Sequence, residues 1–205
     1  MVINYNLKFN EVLNSIDKNN KPNLFLHVCC GPCCSGIIYK LIHYFNIYII
    51  FYNSNIDTFL EYNLRLFELK KLINDKNMIL KIIYSDYNHN EFLDVVYGYE
   101  SEPEGGKRCN KCFELRLNKT FQIAIKYIKE NNLVNKENYL CTTLSISPHK
   151  DANLIMQIGE RICESSIIKY LPSDFKKDDG YLNSIKNSKE LGLYRQNYCG
   201  CEFAK

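Results

Sequence analysis

Five short runs rich in β-branched and aromatic residues recur along the chain, separated by stretches of helical periodicity, and this alternation constrains the fold most. Asn23-Leu24-Phe25-Leu26-His27-Val28, between Pro22 and Gly31-Pro32, reads as the first strand. Ile47–Tyr52, Met78–Tyr84, Tyr139–Thr142 and Ile167–Tyr170 read as four more. Between them, Ser35–Phe45, Thr58–Ile73, Asn90–Val96, Cys112–Asn131 and Ala152–Cys163 read as helices. In the second of these, Leu60, Leu64, Phe67 and Leu72 recur at helical spacing. The loop Gly98–Lys107 carries Pro103, Gly105 and Gly106, all turn formers. Strands alternating with helices at this interval imply an α/β, Rossmann-like fold: a mostly parallel sheet with helices on both faces. A length of 205 residues suits one well-buried core and is short for two. The expectation is therefore a single domain over 1–205, with residues 1–22 a helical extension within it.

The second constraint is sulfur. Of ten cysteines, Cys29, Cys30, Cys33, Cys109, Cys112, Cys199 and Cys201 fall in three tight clusters, with Cys34 at the edge of the first. Each pair has the short spacing that lets two sulfurs reach one metal ion, one cluster or one disulfide. The first cluster follows the carboxyl end of the first strand, where ligands of open α/β sheets gather and where helix-terminal amides favour thiolate. Read alone, Cys30-Gly31-Pro32-Cys33 matches the dithiol of a thioredoxin-like thiol oxidoreductase, which would leave the other two pairs unexplained. Cys109-Asn110-Lys111-Cys112 is open between zinc, iron–sulfur and redox use. Cys199-Gly200-Cys201 can close a strained small-ring disulfide or ligate metal with both sulfurs. Cys34, Cys141 and Cys163 read as packing residues.

Composition sets the surroundings. Cysteine at about 5% lies below the level of a disulfide scaffold. The opening Met1–Asn6 lacks the pattern of a signal peptide, and no apolar run is long enough for a membrane span. A reducing cytoplasmic setting follows, where clustered cysteines point to metal or catalysis. The net charge of +3 permits a nucleic-acid partner without demanding one. No flavin or nicotinamide fingerprint is present, since Gly98-Tyr99 and Gly105-Gly106 do not form G-x-G-x-x-G after a strand. The chain also lacks a Ser-Gly-Gly-x-Asp-Ser phosphate loop after the first strand, which argues against ATP-dependent tRNA thiolation. A zinc-stabilised, non-catalytic tRNA-binding module remains the alternative from another class.

Several segments together resemble one family. They are His27-Val28-Cys29-Cys30-Gly31-Pro32-Cys33, Glu102 to Cys109, Thr142 to Lys150, Asp174-Phe175-Lys176-Lys177 and Tyr194 to Cys201. In that order, from about residue 24 to the end, they resemble the epoxyqueuosine reductase QueH family. The resemblance implies reduction of the epoxide of epoxyqueuosine in tRNA to queuosine, with electrons from an external donor. By motif position it implies a [4Fe–4S] cluster on Cys29, Cys30, Cys109 and Cys112, with Cys199 and Cys201 as a redox-active pair. Cys33, with Asp151 as a hard oxygen donor, is a candidate for an additional iron ion; the alternative for Asp151 is an exposed carboxylate at a helix N-terminus. Lys107, Arg108, Lys111, Lys176, Lys177 and Arg195 are the basic residues nearest the motifs and suit tRNA phosphates, with Tyr194 and Tyr198 as aromatic partners for a base. His27 reads as a core residue, and His149 as open to function. Two departures from the pattern are Asp57, where a proline is expected and only a turn should be affected, and the extra thiol Cys34.

Overall fold

Alternation within the apolar runs decides which core each strand side chain enters. In β1 (Asn23–His27), Leu24 and Leu26 join one buried cluster while Phe25 joins the other. β2 (Asn46–Phe51) divides the same way, with Ile47, Ile49 and Phe51 against Ile50. A sheet buried on both faces is what near-continuous apolar strands produce. The computed structural model describes residues 3–75, 78, 80–177 and 179–204. Its five strands, completed by β3 (Lys81–Tyr84), β4 (Asn138–Thr142) and β5 (Ile168–Tyr170), lie in the order β3-β2-β1-β4-β5. Every neighbouring pair is parallel, with Leu26 opposite Cys141 and His27 opposite Thr142. The fold is thus α/β and Rossmann-like, as the alternation predicts.

One face is covered by α1 (Tyr5–Ser15), through Phe9 and Leu13, by α3 (Ile38–Leu41) and by α4 (Phe59–Asp75). The other is covered by α6 (Lys107–Glu130) and α7 (Ala152–Cys163), whose Phe113, Leu117, Ala124, Ile128, Ile155 and Met156 pack on Phe25, Ile50 and Leu140. A smaller cluster joins α5 (Asn90–Val96) to α6 and the chain's last residues: Phe92 and Val96 bury Cys112 and Cys201. No helix is long and apolar enough to cross a membrane among the described residues.

Several sequence expectations shift. The helix expected over 35–45 is two pieces, α2 (Gly31–Ser35) and α3, because the Cys30 sulfur accepts the Cys33 N–H at 3.4 Å and so starts a turn before Pro32. Ile37, at φ −136° and ψ −22°, then leaves helical geometry. The strand expected from Met78 begins only at Lys81, and residue 79 lies outside the described residues. An unexpected helix, α8 (Gly180–Glu190), packs on α2, with Asn187 Nδ2 donating to Ser35 O at 2.6 Å. Its buried residues are Gly180, Ser184 and Ser188 while Leu182 and Ile185 face outward, so it carries no apolar periodicity to read.

Strand order reverses between β1 and β4, which puts the topological switch point at their carboxyl ends, where His27 and Thr142 lie side by side. The buried His27 ring binds Thr142 Oγ1 at 2.6 Å and the Tyr52 carbonyl at 3.1 Å, tying the ends of three strands together. Burial pushes its pKa down to about 3, so it holds this junction as a neutral group.

Candidate active site

Past His27 the chain places Cys29, Cys30 and Cys33 so that their three sulfurs lie within 4.8 Å of one another. Two of these thiols are adjacent in sequence, and regular backbone would point them apart. Cys30 instead adopts φ −170° and ψ 163° as the cap of α2, and the turn at Gly31-Pro32 brings Cys33 back. Gly31 is needed there: a Cβ would stand 2.8 Å from the backbone of Glu68 in α4. The Cys29 sulfur sits 3.8 Å from that of Cys30 and 3.4 Å from Thr143 Oγ1 at the end of β4. Hydrogen bonds from the Cys30 and Cys33 thiols, together with the charges of Arg116 and Lys150, hold Cys29 well below the ordinary thiol range against the cost of burial. Cys30, as donor, is pushed up to about 12.

The second and third cysteine clusters meet each other. Cys109 and Cys112 open α6, one turn apart, and Cys109 accepts the Gly105 N–H at 3.2 Å. Together with Cys199 and Cys201 they line a cavity of about 20 Å³. This cavity adjoins a larger cleft of about 400 Å³ that reaches Cys29 and Cys33. Glu104, Arg116, His149, Lys150 and Cys199 line both spaces. All seven clustered cysteines are free thiols. The structure therefore gathers Cys29, Cys30 and Cys33 on one side, and Cys109, Cys112, Cys199 and Cys201 on the other.

The Cys-Gly-Cys segment is moored by α4 and the loop after β2. Arg65 Nη1 donates to Cys199 O at 2.9 Å and its guanidinium packs 5.3 Å from the centre of the Tyr198 ring. Asn55 Nδ2 donates to the same carbonyl at 3.3 Å. Gly200 has φ +103°, and a Cβ there would come within 3.0 Å of the Arg65 guanidinium. Asp57 corrects an expectation: its departure from proline is not confined to a turn. The Asp57 N–H donates to Gly200 O at 2.9 Å, and its carboxylate accepts from Tyr198 at 3.2 Å. A proline would have no N–H to give.

Other expected residues divide. Arg108 is 1% exposed and its guanidinium donates to the carbonyls of Glu100, Glu102 and Phe203. It braces the loop before α6 and faces no solvent from which a phosphate could reach it. Lys107 and Lys111 are exposed. Lys176 and Lys177 both pair with Asp174, at 3.6 and 3.7 Å, and Lys176 also donates to Lys150 O. Arg195 lines the larger cleft beside Tyr181, with 5.5 Å from guanidinium to ring centre. Asp151 is exposed and caps α7, its Oδ1 accepting the Asn153 and Leu154 N–H groups, and it is not part of the cleft wall. Cys33 stands with Cys29 and Cys30, apart from Asp151's capping role. Cys34, Cys141 and Cys163 are buried in the cores.

Sequence reasoning assigns no role to Arg65, Arg116, Lys150 or Gln196, although the last two lie within the segments that carry the resemblance. Gln196 Nε2 donates to Cys30 Sγ at 3.0 Å. Arg116, 2% exposed, donates to Asn53 Oδ1 and to Cys112, and its Nε has no partner. Burial pushes Cys112 up to about 11 even so.

The parallel sheet thus brings Cys29, Cys33 and Cys199 to a cleft at its switch point, with Cys109, Cys112 and Cys201 around the adjoining cavity and the buried Arg116 lining both, the arrangement of an α/β protein with a cysteine-rich site. The profile of the family described as Epoxyqueuosine reductase QueH matches residues 24–205. Three proteins named Epoxyqueuosine reductase QueH are similar over most of their length. The Streptococcus pyogenes serotype M1 protein is 36% identical over 207 residues, covering 98% of this chain and 78% of the relative. The Staphylococcus epidermidis protein is 35% identical, covering 98% and 84%. The Thermotoga maritima protein is 34% identical, covering 88% and 89%. This chain belongs to the epoxyqueuosine reductase QueH family.

Proposed function

We propose that this chain reduces the epoxide of epoxyqueuosine at the wobble position of tRNA to queuosine, working in the cytoplasm with electrons from an external donor. The observation that carries this reading is the convergence of two thiol groups on one cleft at the switch point. The reaction removes one oxygen, so the epoxide takes up two electrons and two protons and yields an alkene and water.

The donor set fits a thiolate-bound cluster. Cys29 and Cys30 share one site with Cys33, Cys29 is already favoured as thiolate, Cys109 and Cys112 line the adjoining cavity, and Arg116, which lines both spaces, offsets their charge without an ion-pair partner among the described carboxylates. Cys29, Cys30, Cys109 and Cys112 are proposed to hold a [4Fe–4S] cluster, and Cys33 is the neighbouring thiol available to an additional iron. Such a cluster, when bound, supplies electrons one at a time at a potential tuned by surrounding charge and hydrogen bonds. The chain's own part is to shape the cleft and deliver the substrate. Arg195 and Tyr181 offer a cation and a ring to a nucleotide, and Lys107 and Lys111 are free to meet phosphates. Cys199 and Cys201 are proposed as the redox-active pair, held at the cleft by Arg65, Asn55 and Asp57.

Anaerobically prepared protein tests this directly. It should be brown and contain iron and acid-labile sulfide. Cys109→Ala and Cys112→Ala should lose iron and epoxyqueuosine reduction together, while Cys163→Ala keeps both. A colourless protein with stoichiometric zinc after iron–sulfide reconstitution would overturn the reading.

A further inference from the structure

An epoxide oxygen leaving as water needs a proton donor at the point where it departs. Three ionisable side chains besides Arg116 and the cysteines line both the cleft and the small cavity: Glu104, His149 and Lys150. Glu104 and His149 are exposed on the rim, whereas Lys150 is half-buried. Its ammonium makes no hydrogen bond or ion pair among the described residues and, with its stem half-buried, stays open to the cleft, where solvent can reach it. Its charge acts on Cys29 and on Cys199, one sulfur from each thiol group.

The backbone around Lys150 is fixed on both sides. Its N–H donates to Ser147 O at 3.3 Å, its carbonyl accepts Lys176 Nζ at 3.2 Å, and the next residue caps α7. An unpaired cation is therefore held between two sets of thiols on a braced turn. Arg116 lines the same two spaces, but its guanidinium is engaged by Asn53 and Cys112 and does not give up a proton at physiological pH.

We propose that Lys150 is the catalytic acid that protonates the departing epoxide oxygen. This assignment rests on the reading of the chain as an epoxyqueuosine reductase. Both carbon–oxygen bonds break, two electrons from the external donor complete the carbon–carbon double bond, and the oxygen leaves as water. Lys150 gives that oxygen its first proton, and solvent supplies the second and restores the ammonium.

The experiment uses iron–sulfur-loaded protein, tRNA carrying epoxyqueuosine and a chemical reductant, with nucleosides measured by mass after digestion. Lys150→Ala should lower kcat by about 100-fold or more, the range of a lost general acid, with KM for tRNA little changed. Iron and sulfide contents should equal wild type. Added methylammonium should restore part of the rate to Lys150→Ala in a saturable way, but none to Lys150→Met, whose side chain fills the space. Wild-type rates in Lys150→Ala, a loss that follows iron content or tRNA affinity, or indifference to the amine would each overturn this role. Wild-type protein that leaves epoxyqueuosine unreduced would overturn the functional reading itself, and Lys150's role with it.

Discussion

Cys199 and Cys201 ionise differently although only Gly200 separates them. The Cys201 thiol donates to Cys199, and with the Cys201 N–H and the charge of Lys150 it outweighs burial, lowering the Cys199 pKa to about 6. Cys201, as the donor, is pushed well above the ordinary thiol range. A lowered acid pKa means thiolate at lower pH, so the alkylation rate of Cys199 in reduced, metal-free protein should rise with pH and level off above about pH 7. Cys201→Ala removes the donor and should move that midpoint up toward about 8.5. Peptide mapping of iodoacetamide labelling across pH measures it; a midpoint near the ordinary thiol value in both proteins would refute the pairing. At this scale the cysteines were legible because their spacing is informative. Arg116 was not, because a lone arginine in a helix reads as a solvated charge. Its signal was positional: it follows Cys112 by four residues and shares a face with Phe113, Leu117 and Thr120, all buried. Arg65 hides in the same way between Tyr62 and Leu69 in α4.

Among the elements, α8 shows where periodicity misleads. Small residues at 180, 184 and 188 let it lie close on α2, and the apolar side chains that would advertise a helix point to solvent. Ser188 is 3% exposed, so Ser188→Leu overfills a packed contact and should cost about 1–3 kcal/mol. Leu182→Ser, at a position 60% exposed, should change stability by less than about 0.5 kcal/mol. Urea midpoints of the two variants decide it, and equal midpoints would mean α8 is not seated as described. The strands were legible because a two-sided parallel sheet demands unbroken apolar runs. The 90–96 and 152–163 helices match their expected limits. The 107–130 helix begins five residues before its expected start at Cys112, because Gly106 has no side chain to mark the cap and the Lys107 N–H goes instead to the Glu102 carboxylate, five residues back, at 3.1 Å.

Over the whole molecule, strand alternation announced the sheet but not its order, and order is what makes the site. Placing β4 beside β1 sets Thr143 against Cys29 and turns the 143–150 segment, with Lys150, into the cleft. No local pattern encodes that juxtaposition, since β1 and β4 are more than a hundred residues apart. The same long-range packing decides how the molecule meets a polyanion. Lys176 and Lys177 already share Asp174, and Arg108 is buried among carbonyls, so three of the six basic residues near the motifs have their charge paired or enclosed within the protein. If Lys107, Lys111 and Arg195 meet tRNA as proposed, they set the number of cations displaced from it on binding. The logarithm of the association constant should then fall against the logarithm of salt concentration with a slope of about −2 to −3. All six acting together would give about −4 to −5. A titration across salt concentrations thus counts, from solution, how many of this protein's positive charges are available to tRNA.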